Sequence, residues 1–207
     1  MSSSVKVLMP RDSVEADIPA IQAIYAQHVA NGSGSFEEMP PDTAELAQRR
    51  RAILDKGLPY IAVDIDGKLA GYAYAGPFRP RSAYRFSVED SIYVAPGLAG
   101  RGLGRALLSA LIERTTAWGA RQMIAVIGDS ANAGSIGLHA SLGFRMVGTF
   151  RSIGFKHARW VDSVMMQLAL GDGGIDHSRR AYRRIVWNRP ISRRTVSVAQ
   201  SVRRRSR

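Results

Sequence analysis

One stretch constrains this chain more than any other: residues 93–120, which read YVAPGLAGRGLGRALLSALIERTTAWGA. The stretch begins with strand-forming residues, carries four glycines between residues 97 and 104, and continues into apolar residues at helical spacing. We call residues 97–105 the glycine elbow. A strand that turns through glycines into a helix aims several backbone N–H groups, and the positive end of the helix dipole, at one place. Because glycine lets a ligand approach the backbone closely, the elbow predicts a phosphate site.

The spacing of the glycines indicates which class of phosphate-containing ligand the elbow could bind. Gly100, Gly102 and Gly104 do not fit the G-x-G-x-x-G spacing of a dinucleotide fold, and no Lys-Ser or Lys-Thr pair follows them as in a P-loop. A nucleoside triphosphate and NAD are therefore disfavoured. A glycine-rich turn without any ligand is the alternative.

The rest of the chain predicts an α/β domain around a mixed sheet flanked by helices. Asp66-Gly67, between two β-rich runs, is the strongest hairpin signal. An Asp12 to Glu15 capping pattern precedes the first helix. The other predicted strands are 5–9, 87–95, 121–128, 144–155 and 160–170. The predicted helices are a first one with apolar residues Ile18, Ile21, Ile24, Tyr25 and Val29, and then 42–56, 104–118 and 132–143.

Composition bounds the class of protein. The chain has 207 residues, which is enough for one domain with a core, and it has no cysteine, which excludes a disulfide framework and a thiolate metal site. No apolar run reaches the length of a secretory signal or a membrane span, so we expect a cytoplasmic protein without a membrane partner. The net charge is +12, but residues 171–207 hold 11 arginines against two aspartates. We therefore divide the chain into a domain, 1–170, and an arginine-rich tail, 171–207, expected to be disordered.

Several motifs, in order along residues 5–170, resemble a known family. They are the elbow and the segments YAYAGPFRPRSAY, VEDSIYV, AVIG, LHASLGF and GFKHARW. Together they resemble the GNAT superfamily of N-acetyltransferases, and within it the phosphinothricin and methionine sulfoximine acetyltransferases. The resemblance implies the GNAT fold, acetyl-CoA as co-substrate, no metal, and a homodimer. The family motif R/Q-x-x-G-x-G/A departs at its first position, where Ala99 replaces a polar side chain.

The resemblance also implies which residues hold acetyl-CoA. The elbow would bind the pyrophosphate, and a backbone N–H near Tyr93 or Val94 would donate to the thioester carbonyl. Asn132 matches an asparagine that bonds the pantetheine arm, although asparagine is also a common helix N-cap. The full set of expected cofactor residues is Ile92, Tyr93, Val94, Ala99, Gly100, Arg101, Gly102, Leu103, Gly104, Arg105 and Asn132.

Two side chains are the expected catalytic groups. Transfer to an amine needs a base for the amine proton and an acid for the leaving thiolate. Glu89 matches the family's glutamate and is the expected base, the alternative being an ordinary carboxylate at the start of a strand. His139, in the family's L-(Y/H)-x-x-L-G-(F/Y) pattern, is the expected auxiliary acid, since an imidazole titrates near neutral pH. Alternation along a strand points Asp90 away from Glu89, so no role is assigned to Asp90.

The substrate side is predicted from basic and aromatic residues. Arg79 and Arg81 flank a proline, and two guanidiniums on a stiff loop can clamp a carboxylate or phosphinate. The alternative is a solvated basic loop. The expected substrate is an amino acid with a tetrahedral phosphorus or sulfur centre, which suggests a role in detoxification. Further candidates, implied by the resemblance, are Phe36, Tyr84, Lys156, His157 and Trp160.

Two other functions stay open at this stage. The acceptor could be a protein N-terminus or an antibiotic amine instead of a free amino acid. The fold could also be a binding module that the basic tail tethers to nucleic acid. No function is assigned to His28 or His177.

Overall fold

The computed structural model describes residues 8–173, and in them seven strands, four α-helices and two short 3₁₀ helices. The strands are β1 (Arg11–Asp12), β2 (Tyr60–Ile65), β3 (Lys68–Pro77), β4 (Ser87–Val94), β5 (Gln122–Gly128), β6 (Arg145–Lys156) and β7 (Arg159–Ala169). The helices are α1 (Ile18–Asn31), α2 (Thr43–Leu54), α3 (Leu103–Trp118) and α4 (Ala133–Ser141). The strands form one sheet in the order β1-β2-β3-β4-β5-β7-β6, in which β4 and β5 are parallel and the other neighbours antiparallel. The predicted mixed sheet flanked by helices is confirmed.

Local sequence signals explain most element ends. Asp66 and Gly67 both have positive φ, 51° and 74°, and form the tight turn between β2 and β3, as predicted. The Asp42 carboxylate accepts a hydrogen bond from the Glu45 N–H and caps α2. Gly119 ends α3 in the left-handed region.

The N-terminal prediction is partly wrong. Residues 5–7 lie outside the described part, Leu8 and Met9 are not in a strand, and the first strand is Arg11–Asp12, antiparallel to β2. Asp12 therefore does not begin a capping box. Instead, the Asp17 carboxylate accepts bonds from the Arg11 guanidinium and the Val14 N–H just before α1. This ion pair, which local spacing does not reveal, ties Arg11 of β1 to the N-cap residue of α1.

The two faces of the sheet carry different cores. Alternation along β2 directs Tyr60 to the face covered by α1 and α2, and directs Ile61 and Val63 to the face covered by α3. Leu107 and Leu111 of α3 are fully buried against that second face. The α3 core fixes the helix that follows the glycine elbow, and hence the elbow itself.

The sheet opens at its parallel pair. β4 and β5 are paired only as far as Asp90 and Ala125. β4 nevertheless continues along β3 to Val94, and β5 continues along β7 to Gly128. The two strands therefore separate after Asp90, and we call the opening between them the β4–β5 cleft.

The C-terminal predictions fall largely outside the described residues. This holds for the arginine-rich tail from residue 174 onward and for His177. The Gly173 N–H still donates to the Leu170 carbonyl, and the Gly173 carbonyl accepts from the Gln122 side chain. The boundary after residue 170 stays a prediction.

Candidate active site

The β4–β5 cleft holds a cavity of about 1000 Å³, walled by β4, β5, the glycine elbow, α4 and the loop before residue 38. Thirteen of the residues predicted from the sequence line this cavity together. They are Phe36, Glu89, Ile92, Tyr93, Val94, Ala99, Gly100, Gly102, Leu103, Gly104, Arg105, Asn132 and His139. The cavity therefore gathers most of the expected cofactor residues and both expected catalytic side chains.

The glycine elbow has the geometry of an anion cradle. Gly100 and Gly102 have φ of 78° and 82°, a region that side chains with a Cβ rarely adopt. Gly102 is the N-cap of α3, so the N–H groups of the first helical turn, on residues that line the cavity, have no partners within the helix. A Cβ at Gly104 would lie 3.1 Å from Leu138, which packs α4 closely against the elbow. This backbone suits a pyrophosphate.

Glu89 is a carboxylate without a fixed partner. Its side chain is half-buried on the cavity wall and accepts no hydrogen bond from any residue between 8 and 173. Burial, and after it the charge of Asp90, raises the pKa of Glu89, while Arg79 acts in the opposite direction. A carboxylate that is desolvated and unbonded is available to take a proton.

Asp90 and His139 form a buried pair at the base of the same cavity. Their side chains are 3% and 5% exposed, and His139 Nε2 lies 3.0 Å from Asp90 Oδ2. His139 Nδ1 lies 2.7 Å from the Ser135 carbonyl oxygen. Burial opposes the imidazolium, but the hydrogen bond and charge of Asp90, with the Ser135 carbonyl, outweigh it and raise the pKa of His139.

The loop of residues 32–37 forms the outer wall on the α1 side. The Tyr25 hydroxyl lies 2.9 Å from Ser35 Oγ and donates to Glu37 Oε1 at 3.0 Å. Arg49 of α2 donates to the same Glu37 oxygen at 2.6 Å. The Phe36 ring fills the space above Gly154 so tightly that a Cβ there would overlap it. The loop is thus held by α1, α2 and β6.

Comparison with known proteins identifies the architecture. The profile of the Acetyltransferase (GNAT) family matches residues 22–144. This chain belongs to the GNAT acetyltransferase family. It is 55% identical to the phosphinothricin N-acetyltransferase of Alcaligenes faecalis over 157 residues, which are 76% of this chain and 80% of that protein. The predicted family, fold and acetyltransferase activity are confirmed.

Two further relatives extend the match. The L-methionine sulfoximine/L-methionine sulfone acetyltransferase of Pseudomonas aeruginosa PAO1 is 43% identical over 82% of this chain and 96% of its own. The crystal structure of a GNAT phosphinothricin acetyltransferase from Sinorhizobium meliloti in complex with acetyl-CoA has a TM-score of 0.79 and 49% identity, over 82% of this chain and 91% of that one. Acetyl-CoA is therefore the co-substrate of this GNAT acetyltransferase, and the unpaired N–H groups of the elbow fit its pyrophosphate.

Some predicted residues of this acetyltransferase do not line the cavity. Arg79, Arg81 and Tyr84 lie on the exposed turn after β3, where the Arg79 guanidinium sits 4.9 Å from the centre of the Phe78 ring. Arg101 is exposed at the elbow and also outside the lining. Their predicted roles stay predictions.

The late hairpin contacts the loop instead of the cavity. Lys156 is 4% exposed, and its Nζ donates to the Ser35 carbonyl at 2.6 Å. His157 Nε2 lies 3.2 Å from the Gly32 carbonyl oxygen, to which it donates. Burial lowers the pKa of Lys156, although Glu37 and Glu38 act against that shift. These two side chains hold the loop of residues 32–37 in place. Their contact with substrate stays a prediction.

Asn132 is the N-cap of α4, which is one of the two roles that the sequence predicts for it. Its side chain accepts a bond from the Ser135 N–H at the start of α4. It also lines the cavity, so the pantetheine contact stays a compatible prediction.

Sequence reasoning missed several cavity residues. Alternation pointed Asp90 away from Glu89, yet both line the cavity, because β5 leaves β4 at this point and exposes the edge of β4. His28 donates from Nε2 to the Val94 carbonyl oxygen and so anchors the end of β4. The helical period indicated only a core position for Tyr25, which in fact also lines the cavity.

Two features are absent from residues 8–173. No three His, Asp or Glu side chains there are grouped to hold a metal ion. None of the helices described there combines the length and apolar character needed to cross a membrane.

Proposed function

We propose that this GNAT acetyltransferase transfers the acetyl group of acetyl-CoA to the α-amine of a small amino acid whose side chain carries a tetrahedral phosphorus or sulfur centre. The candidates are phosphinothricin, methionine sulfoximine and methionine sulfone. The names of the relatives support this substrate class. The observation that carries the proposal is the unbonded Glu89 carboxylate, which lies next to the point where β4 and β5 separate and lines the same cavity as the elbow.

The residues of the cleft suggest how transfer proceeds. Bound acetyl-CoA supplies the thioester that the amine attacks. The elbow holds the pyrophosphate, and a backbone N–H of Tyr93 or Val94, at the end of β4 freed from β5, donates to the carbonyl oxygen that gains negative charge. Glu89 removes the proton of the attacking amine, directly or through a water molecule. As the amide C–N bond forms, the C–S bond of the thioester breaks, and CoA leaves as a thiolate that takes up a proton from solvent.

The substrate anion would be held at the outer end of the cleft. Arg79 is close enough to Glu89 for its charge to act on that carboxylate, which supports a position at the mouth. Arg81 and Tyr84 follow on the same turn. Phe36 and Glu89 line the same cavity, and we propose that an amino acid held by the two guanidiniums binds with its amine towards Glu89.

A homodimer is part of the proposal. Large apolar side chains on β6 and β7 are more than half exposed, and β6 is an edge of the sheet. Exposed apolar groups on an edge strand are typical of a surface that another chain covers. These side chains are Met146, Val147, Phe150, Ile153, Phe155 and Trp160.

The first experiment is release of CoA thiol from acetyl-CoA with a panel of acceptors. The panel contains L-phosphinothricin, L-methionine sulfoximine, L-methionine sulfone, ordinary amino acids, an aminoglycoside and a short peptide. We expect turnover confined to the first three. Turnover with the peptide or the aminoglycoside alone would replace the amino-acid acceptor by one of the alternatives raised from the sequence.

The role of Glu89 has its own test. Glu89→Gln keeps the size of the side chain but cannot accept the proton, so we expect kcat to fall by about a hundredfold or more while the Kd for acetyl-CoA is unchanged. Glu113→Gln, on the exposed face of α3, is the matched control. A decrease of less than about threefold in Glu89→Gln would remove Glu89 from the role of base.

The remaining predictions concern the setting of the enzyme. Detoxification of methionine derivatives follows from the proposed substrates. The cytoplasmic location and the binding of nucleic acid by the tail rest on the sequence alone.

A further inference from the structure

The protonation state of His139 follows from its two neighbours. The Ser135 carbonyl oxygen, 2.7 Å from Nδ1, can only accept, so Nδ1 carries a proton. Nε2 lies 3.0 Å from Asp90 Oδ2, and the hydrogen bond and charge of Asp90 raise the pKa of His139, which favours a proton on Nε2 too. An imidazole that donates from both nitrogens is an imidazolium. Neither proton is directed at the open part of the cleft.

The pair has few other polar contacts. Among residues 8–173, Asp90 Oδ1 is buried without a hydrogen-bond partner, so the carboxylate is compensated through Oδ2 alone. The His139 ring is sealed on another side by the edge-to-face contact with Phe144, at 4.9 Å between centroids. A buried carboxylate with one stabilising bond depends on its counter-ion.

We propose that Asp90 and His139 act as a fixed ion pair that positions the neighbouring base, with His139 serving as the counter-ion of Asp90 and not as a proton donor to the leaving thiolate. Asp90 is the positioning residue, because it precedes the separation of β4 from β5 and ties β4 to α4 across the cleft. This inference rests on the proposed function in so far as Glu89 is the base.

Other charged groups around Glu89 come from each neighbouring element. Arg79 follows β3, and Tyr74 of β3 has a pKa that the charge of Glu89 helps to raise, after burial. Glu37 lines the same cavity from the loop, and His139 comes from α4. β5 places the apolar Ile124 opposite Glu89. Asp90 is therefore the adjacent negative charge, and its removal should favour the ionised form of Glu89.

The charge state can be tested without any activity measurement. In ¹⁵N NMR of the whole wild-type protein, with His139→Gln used to assign the signals, we expect both His139 nitrogens to be protonated at neutral pH. In Asp90→Asn, Nε2 should lose its proton as the pH rises through the neutral range. An unprotonated Nε2 in the wild type would overturn the proposal.

Paired variants separate a counter-ion from an acid. His139→Gln alone leaves the Asp90 charge buried and unpaired, whereas Asp90→Asn together with His139→Gln removes both charges and lets two amides bond. We expect the double variant to be about tenfold or more faster than His139→Gln alone. If the double variant is as slow as His139→Gln, His139 is a reacting group and the proposal fails. Thermal unfolding of each variant identifies any that does not fold.

A pH profile tests the effect on the base. For each protein, kcat/KM at low pH is divided by its plateau value. This ratio should be about threefold or more higher in Asp90→Asn than in the wild type, because the amide no longer opposes ionisation of Glu89. Asp55→Asn, an exposed carboxylate after α2, should keep the wild-type profile. An unchanged profile in Asp90→Asn would refute the influence on Glu89. If Glu89→Gln is fully active, the proposed base fails, while the NMR and double-variant results still decide the ion pair.

Discussion

At the scale of single residues, two adjacent carboxylates of the cleft differ in burial and in hydrogen bonding. Asp90 is buried and bonded to His139, whereas Glu89 is half-buried and unbonded. Desolvation without a compensating bond is unfavourable for the folded state once Glu89 is ionised. The position that we propose for catalysis is therefore one where the chain loses stability.

Glu89→Gln should for this reason stabilise the fold at alkaline pH. Because the pKa of Glu89 is raised in the folded state, its contribution to the free energy of unfolding is present below the unfolded pKa and is lost as the pH rises through the folded one. The variant should need more urea to unfold than the wild type at about pH 8 and the same amount at about pH 4. Glu113→Gln should show no such difference, and a Glu89→Gln protein less stable at about pH 8 would contradict this reading.

At the scale of elements, the glycine elbow contains positions of positive φ, and some of them also line the cavity. Gly102→Ala and Gly97→Ala both place a Cβ at positive φ, 82° and 75°, and each should lower stability by about 1 kcal/mol. Gly102 lines the cavity and caps α3, while Gly97 does neither. We expect only Gly102→Ala to weaken acetyl-CoA binding in calorimetry. An equal loss in both variants would show that the strain alone is responsible.

A change in the loop of residues 32–37 should alter the KM of the amino acid without altering the KM of acetyl-CoA. In Gly154→Ala the new methyl group would overlap the Phe36 ring and displace it from the cavity wall. We expect the KM of the amino acid to rise about threefold or more, with the KM of acetyl-CoA unchanged. Gly148→Ala, on the same strand with open space around it, is the control. Parallel increases in both KM values would instead indicate a general distortion of β6.

At the scale of the whole molecule, the two edges of the sheet differ. One edge is the short β1, and the other is β6 with its exposed apolar side chains. Val147→Glu should convert the proposed dimer to a monomer in light scattering after size exclusion, because a charge would be buried in the interface. Val14→Glu, near the opposite edge, should leave the mass unchanged. A wild-type protein that is monomeric at all concentrations would refute the homodimer.

Local sequence patterns predicted most of the elements, because each depends on residues close together in the chain. The turn at Asp66 and Gly67, the cap at Gly119 and the buried face of α1 follow from positive φ and helical period. The elbow was also predictable, since a strand, glycines and a helix are consecutive. The contact that holds the N-cap residue of α1 was not, because it joins Asp17 to Arg11 of a separate strand.

The sequence by itself determined the α/β fold and predicted the glycine elbow, and its resemblance to the GNAT family indicated Glu89 as the candidate base. Only the tertiary structure decided where β5 leaves β4, that Asp90 faces His139 across 49 positions, and that Lys156 fastens Ser35 across 121. Each of these depends on side chains meeting through the packing of separate elements, and that packing is a property of the whole sheet. Periodicity shows which face of a segment can be buried, whereas the tertiary fold determines which other segment packs against that face.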